Sequence, residues 1–250
     1  MNPPAETFAV EVDPFYVEDL RQMARAVKYQ HWQFTMVAPF LTGRVLEVGG
    51  GIGNFTPRIA AVAKSVVSLE PNEYCFRQLT EQAGKIPNVT LHRATVEALG
   101  EVLPAGEKFD TIVLMNVLEH IQDDRAVLAV LKKFLTPGGR IVVLVPAGQW
   151  AFGANDERLG HYRRYDKDYS RKLAAGLGLE IECLRYYNCV GIWGWWWNAQ
   201  VLRRHNQSDV QIRVFDDLFV PVLSRLEKIF RPPVGQSLLF VARLPASNKI

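Results

Sequence analysis

Hydrophobic positions in this chain gather in short β-branched runs, separated by segments in which apolar residues recur every three or four positions. From residue 44 onward the runs are Arg44–Val48, Ser65–Leu69, Val89–His92, Thr111–Leu114 and Arg140–Val145. They are apolar nearly throughout, as strands covered on both faces should be, and their alternation with helical segments is that of βαβ units around a largely parallel sheet. The clearest helix runs roughly from Asp123 to Leu135, where Ala126, Val127, Val130, Leu131 and Phe134 keep the helical spacing and Pro137-Gly138-Gly139 closes it. Asp13 to Leu41 reads as helical and is expected to cap one end of the sheet. After residue 146 come a polar, charged loop, a helix near Asp168–Ala175 and a strand near Glu180–Arg185. Residues 189–235 then form an insertion containing a tryptophan cluster and a helix-like stretch, Phe215–Phe230, before a final strand, Ser237–Ala242.

A single domain is expected over residues 1–250, with a helical cap at 1–43, a core sheet from 44–188 and 236–243, and a lid or insertion at 189–235. Composition agrees: 48% hydrophobic and 22% charged residues in a chain of 250 exclude disorder, collagen and coiled coil. The formal charge of +3 is too small to argue for nucleic acid. Its distribution says more, since residues 1–150 carry 14 basic and 16 acidic side chains and residues 151–250 carry 15 and 10. Cys75, Cys183 and Cys189 are too few and too irregular for a disulfide framework. The five histidines, His31, His92, His120, His161 and His205, show no ligand spacing, so no metal site is expected. Residues 1–6 lack a basic stretch leading into an apolar core, and no window of about 18 residues is continuously apolar. A cytoplasmic location is therefore expected.

The run Val45-Leu46-Glu47-Val48-Gly49-Gly50-Gly51-Ile52-Gly53 is a strand entering a glycine-rich turn at the start of a helix. Glycines there let the backbone turn sharply and approach a ligand. The second strand ends in Leu69-Glu70-Pro71, placing a carboxylate where it can accept from ribose hydroxyls. Together these features indicate a nucleoside ligand. The turn departs from the pyrophosphate fingerprint G-x-G-x-x-G.

This stretch resembles the class I S-adenosylmethionine-dependent methyltransferases, whose first motif is an acidic residue followed by G-x-G-x-G, here Glu47, Gly49, Gly51 and Gly53. The resemblance extends to Phe109 through His120, similar to the family's fourth-strand motif, and to Leu135 through Arg140, similar to its turn before strand five. It covers roughly residues 28–188 and the last strand. It implies a Rossmann-like, doubly wound α/β fold with a seven-stranded, mostly parallel sheet, the last strand antiparallel, plus the helical, aromatic-rich insertion. It also implies S-adenosyl-L-methionine as cofactor. The glycines would face its methionine part, Glu70 with Pro71 the ribose, Asn116 the region beside the sulfonium, and Thr95 and Val96 the adenine. Thr95 departs from the acidic residue common in the family at that position. Tyr29 and Trp32 lie where family members often close the cofactor site, although their spacing equally suits helix packing.

Two histidines are candidate bases. His120 has a reference pKa close to neutral and lies just past the strand-four edge, where the family also uses this histidine for the shape of the site. His161 is its rival, in the loop after strand five. That loop continues with Tyr162, Arg163, Arg164 and Tyr165, and adjacent arginines can grip a carboxylate or phosphate with paired N–H donors. Neutralisation by Asp156, Glu157, Asp166 and Asp168 is the plainer account. Trp193, Trp195, Trp196 and Trp197 offer three roles: acceptor pocket, with Trp193 as the candidate, apolar patch for a membrane or partner, and core. Downstream, Arg203, Arg204, Arg213, Arg225, Lys228 and Arg231 interleave with Phe215, Leu218, Phe219, Leu223, Leu226 and Phe230. That combination suits an anionic bilayer or a lipid-phosphate substrate.

The expected function is methyl transfer from S-adenosylmethionine to oxygen or nitrogen of a small-molecule or lipid-linked acceptor, with the arginine pair pointing to an anionic one. The D-E-x-L-G-H-Y-R-R-Y run is also similar to methyltransferases associated with bacterial surface-glycan pathways. Two other classes stand beside it: an NAD(P)-dependent oxidoreductase, whose nucleotide ribose Glu70 also suits, and a non-catalytic S-adenosylmethionine-binding partner subunit. Amino-group methylation of nucleic-acid bases is disfavoured, because Asn116-Val117-Leu118-Glu119 stands in place of an N-P-P-Y type tetrad. No G-x-S-x-G elbow supports a serine hydrolase.

Overall fold

A computed structural model describes residues 14–196 and 209–246. Asp13, Trp197, Arg203, Arg204 and His205, all weighed in the sequence, lie outside the described residues. Among the described residues the seven strands are β1 (Arg44–Val48), β2 (Ser65–Leu69), β3 (Val89–His92), β4 (Phe109–Met115), β5 (Leu135–Pro146), β6 (Glu180–Tyr187) and β7 (Ser237–Arg243). They form one sheet in the order β3-β2-β1-β4-β5-β7-β6. The first five pair in parallel, and β7 slots antiparallel between β5 and β6. From β1 the chain winds outward through β2 and β3, then returns to β4 on the other side. The β1/β4 boundary is thus the topological switch point, where a crevice opens at the strands' carboxyl ends.

Strand residues alternate between two cores. Leu46, Ile112, Leu114, Val143 and Phe240 face one side and pack with Leu99, Leu118, Leu128 and Leu131; Val45, Val113, Val142, Leu144 and Val241 face the other and pack with Trp32, Met36, Ile59 and Leu223. Burial on both faces is why the strands read as continuous apolar runs.

Three expectations need correction. The N-terminal helix is two, Pro14–Arg25 and Val27–Val37, with the chain turning at Ala26 (φ −82°, ψ 67°). The break exposes the backbone N–H groups of Lys28 and Tyr29, which donate to the buried Asp216 carboxylate at 3.1 and 2.7 Å. A carboxylate at a helix N-terminus is favoured by both the free N–H groups and the helix dipole. Second, the helix beginning after Asp123, whose side chain accepts from Ala126 N–H at 2.9 Å, ends at Lys132. Pro137-Gly138-Gly139 lies inside β5 instead of closing that helix, because Phe109 N–H already pairs with the Phe134 carbonyl and draws the segment into the sheet. Third, the stretch from Phe215 is interrupted, with a π-helical turn at Phe215–Phe219 before a regular helix, Val220–Ile229.

The insertion docks through an unusual face. Asp216, Val220, Leu223 and Glu227 point inward, and Glu227 accepts from the backbone N–H groups of Asn188 and Cys189 at 2.9 Å each, at the start of the helix Cys189–Trp196. Two buried acids thereby hold the later part of the insertion against the N-termini of the helices Val27–Val37 and Cys189–Trp196. Its outward stripe is apolar: Leu218, Val222, Leu226 and Ile229 are 54–91% exposed.

Candidate active site

The site begins at the glycine turn. Gly49 follows β1 with φ +74°, and a Cβ there would lie 2.5 Å from a Val117 methyl, so only glycine allows the turn to approach the segment after β4. Gly49 and Gly50 donate to the Leu69 carbonyl, while Gly51 N–H donates to Glu70 Oε2 at 2.8 Å. The other Glu70 oxygen accepts from Asn72 N–H at 2.9 Å. Glu70 therefore clasps the turn with one lone pair on each oxygen and keeps the remainder for a ligand. Burial raises its pKa, against these two N–H donors. Asn116 follows β4 with φ +53°, a left-handed conformation that asparagine tolerates better than most residues, and its N–H is held by the Leu144 carbonyl.

Two cavities meet at this edge. One, of about 460 Å³, is walled by Leu69, Glu70, Pro71, Thr95, Val96, Ile121 and Val127. Its apolar walls suit a flat purine, and Glu70 suits a diol. The second, of about 420 Å³, extends over Gly49–Gly51 past Tyr29 and Gln33 toward Glu119, His161, Arg164 and Trp195. Gly49, Asn116, Val117, His120 and Leu159 line both. An elongated ligand can therefore lie across the switch point with its middle beside Asn116 and its far end facing the second cavity. The residues present fit S-adenosylmethionine: a slot for the base, a carboxylate for the ribose, and a turn too tight for a Cβ beneath the amino-acid arm.

At the acceptor end, Glu119 and His120 lie on the 3-10 turn Leu118–His120 after β4, and His161 follows the short helix Ala154–Arg158. Tyr162 N–H donates to the Glu119 carbonyl at 2.8 Å, tying the loop to that turn. The two imidazoles stand edge to face with ring centres 4.7 Å apart. His161 Nδ1 is 2.9 Å from Asp156 Oδ1, which also accepts from Arg164 Nε at 2.8 Å. Burial pushes the Asp156 carboxyl upward, but the His161 hydrogen bond and the Arg164 charge outweigh it and hold it below its ordinary value. Burial pulls the Arg164 guanidinium down despite Asp156. Burial, with His161 nearby, lowers His120 to about 3, leaving a weak base. Burial lifts Glu119 to about 7.

Several residues proposed from sequence sit elsewhere. Glu47 is buried beneath the turn, accepting from the Thr56 and Ser68 hydroxyls at 2.6 and 2.7 Å, so it braces the turn without reaching either cavity. Gly53 packs against Gln82, and Trp32 is buried in the core beneath the N-terminal helices. In the acceptor loop, Tyr165 is fully buried, its hydroxyl bonded to the Leu118 carbonyl and Asp124. Arg163 reaches the carbonyls of Ile121 and Gln122 and the Asp124 carboxylate. Tyr162 is exposed, and Trp193 is exposed against Trp150. Of His161–Tyr165 only His161 and Arg164 line the second cavity, Tyr162 being turned to solvent and Arg163 and Tyr165 held by the partners just named. Trp195 takes the place expected of Trp193, with the Arg164 guanidinium 4.6 Å from its ring centre.

Sequence reasoning missed Asp156 as the partner orienting His161, and Glu97. The latter supplies an acid to the first cavity's wall two positions beyond Thr95. A D-x4-H spacing and a search beyond one aligned position were the available signals.

A family profile described as a methyltransferase domain matches residues 18–205. The chain is 34% identical over 100 residues to a ubiquinone biosynthesis O-methyltransferase of Rhizobium etli, covering 40% of each protein. It is 33% identical over 144 residues to a tRNA U34 carboxymethyltransferase of Stutzerimonas stutzeri, covering 56% of this chain and 41% of that one. The chain thus spans about two fifths of the length of these curated relatives. The N-methyltransferase NodS from Bradyrhizobium japonicum, solved with S-adenosyl-L-homocysteine, shares the fold with a TM-score of 0.54 over 95% of this chain and 91% of that one, at 16% identity. The glycine turn at the switch point, the acid ending β2 and the match across residues 18–205 lead to one conclusion: this chain belongs to the methyltransferase-domain family, in its class I, S-adenosylmethionine-dependent branch.

Proposed function

We propose that this protein transfers a methyl group from S-adenosylmethionine to an oxygen or nitrogen nucleophile of a small-molecule or lipid-linked acceptor. The observation that carries the reading is the meeting of the two cavities at Gly49, Asn116 and His120, so that a cofactor in one presents its reactive centre to whatever fills the other. When bound, the sulfonium supplies an already activated methyl, which joins the acceptor's lone pair as the C–S bonding pair returns to sulfur. The chain's task is then positioning and exclusion of water. Glu70 and Pro71 hold the ribose end, the Gly49–Gly51 turn the amino-acid arm, and Thr95, Val96 and Glu97 the base. Glu119 and His161 are the groups placed to take up the acceptor's proton, and His120, a weak base, helps to shape the site beside them. Arg164 is committed to Asp156, which weakens the case for an anionic acceptor gripped by the arginine pair.

The acceptor's class is supported by the insertion. Its inward face is fixed by Asp216 and Glu227, leaving Leu218, Val222, Leu226 and Ile229 outward and flanked by the exposed cations Arg213, Arg225, Lys228 and Arg231. This is the pattern of an interfacial helix on an anionic bilayer. No helix among the described residues is long and apolar enough to cross a membrane. The ubiquinone-pathway name of several relatives is consistent with an O-methylated, lipophilic acceptor. A cytoplasmic protein resting on the inner face of a membrane accounts for these features.

The test supplies the purified chain with methyl-labelled S-adenosylmethionine and, separately, lipid and aqueous extracts of cells lacking the protein. Label entering the lipid extract supports the reading. Label entering only the aqueous extract removes the lipid-linked acceptor, and label in neither, with tight NAD(H) binding, favours the oxidoreductase.

A further inference from the structure

At the acceptor end one buried carboxylate stands without a hydrogen-bond partner among the described residues. Glu119 has no exposed surface, and neither carboxylate oxygen makes a hydrogen bond to another described residue. A buried, unpaired carboxylate is among the most costly arrangements in a protein interior, and such groups are normally paired or bound to a metal. Around it stand two imidazoles. One ligand atom from each of Glu119, His120 and His161 lies within 4.8 Å of the others, although in sequence His161 is 41 residues from His120. Nothing in the spacing along the chain signals this cluster. It forms because the turn after β4 and the loop after β5 fold over the same strand edge.

The surroundings of His161 are those of a ligand. Asp156 lies 2.9 Å from Nδ1, a contact that places the ring proton there and leaves the Nε2 lone pair for the cavity. A carboxylate behind an imidazole is the usual support of a metal-bound histidine, fixing its tautomer and ring orientation. Asp156 is itself fixed by Arg164. Two histidines and one carboxylate are a donor set of first-row divalent metals, and sites of this composition keep coordination positions open. Ligand atoms of a tetrahedral site with bonds of 2.0–2.1 Å stand roughly 3.4 Å apart. The ligand atoms here, within 4.8 Å of one another, would draw together on binding.

We propose that Glu119, His120 and His161 form a binding site for a divalent transition-metal cation at the acceptor end of the cavity. The site as such is independent of the methyltransferase reading; only its consequence rests on it. All three residues line the second cavity, so the open coordination positions face the acceptor. An acceptor hydroxyl bound there would lose its proton more readily, the proton leaving to solvent, and would be held in one orientation.

The test uses the purified full chain, stripped with a chelator and titrated with Zn²⁺ by calorimetry. One equivalent is expected to bind. Glu119→Gln and His161→Ala are each expected to weaken binding about a hundredfold or more. Parallel titration with S-adenosylhomocysteine shows whether the variants retain the folded cofactor crevice. Should a variant lose that too, electron paramagnetic resonance of the Cu²⁺-loaded parent decides, since this site requires coupling to imidazole nitrogen. Absence of a Zn²⁺ site, equal affinity in folded variants, or a Cu²⁺ spectrum without nitrogen coupling overturns the proposal. Failure of S-adenosylhomocysteine to bind the parent would count instead against the functional reading.

Discussion

His161 and Arg164 share one oxygen of Asp156, at 2.9 Å from Nδ1 and 2.8 Å from Nε. Asp156 has no exposed surface and Arg164 is only 4% exposed, so this pair is a joint of the acceptor loop and not a solvated contact. Removing the acid leaves a buried guanidinium without its partner. Asp156→Ala is therefore expected to lower unfolding free energy by about 3–5 kcal/mol. Chemical denaturation measures it, and a loss below about 1 kcal/mol would mean the loop is held by other contacts.

Glu47 gives a pH-dependent prediction. Burial raises its folded pKa above the ordinary value of 4.5, against the Thr56 and Ser68 hydroxyls. A carboxyl with a raised folded pKa binds its proton more tightly in the native state. Its favourable contribution is thus complete below the unfolded pKa and lost as pH rises through the folded one. Glu47→Gln, which mimics the protonated form, should gain stability relative to the parent as pH rises from acid values through that window. Parallel denaturation curves at acid and neutral pH check this, and a parent that gains on the variant with rising pH contradicts it.

Gly51 probes the cofactor turn. A Cβ there meets only Leu20, at 3.6 Å, so Gly51→Ala has space, but its φ of +56° strains any residue with a Cβ by about 1–2 kcal/mol. The strain falls on the turn that donates to Glu70. Expected is a fold that survives with S-adenosylhomocysteine affinity down about tenfold or more, as read by calorimetry. Unchanged affinity would place the amino-acid arm elsewhere.

The insertion's outward stripe has its own test. Leu218→Asp with Leu226→Asp should abolish co-sedimentation with vesicles rich in anionic lipid and leave S-adenosylhomocysteine affinity unchanged, because both side chains are more than half exposed, whereas the anchors Asp216 and Glu227 are buried on the inward face. Equal sedimentation of parent and variant would remove the bilayer from the account.

The sheet was legible because its strands are buried on both sides: Val45 and Leu46 face opposite cores yet are both apolar, so each strand stands out as an uninterrupted run. The cofactor edge was legible because backbone geometry demands particular residues, glycine beneath Val117 and an acid at the end of β2. What escaped was set by contacts distant along the chain. Asp216 caps the second N-terminal helix from 187 residues away, and Asp156 turns an apparent neutralising charge into the support of His161. The D-E-x-L-G-H-Y-R-R-Y run shows the limit most clearly. Its density of functional side chains suggested an acceptor site, but burial directs Tyr165 into the core and Arg163 onto the Asp124 carboxylate. Side-chain type was visible in the sequence, and direction was not.

The most direct measurement is a crystal structure of the chain grown with S-adenosylhomocysteine. The expected result is ribose hydroxyls within hydrogen-bonding distance of Glu70, the adenine between Val96 and Ile121, and sulfur beside Asn116 facing His161. A crevice left empty at saturating ligand, or a ligand bound away from Glu70 and the Gly49–Gly51 turn, would contradict it.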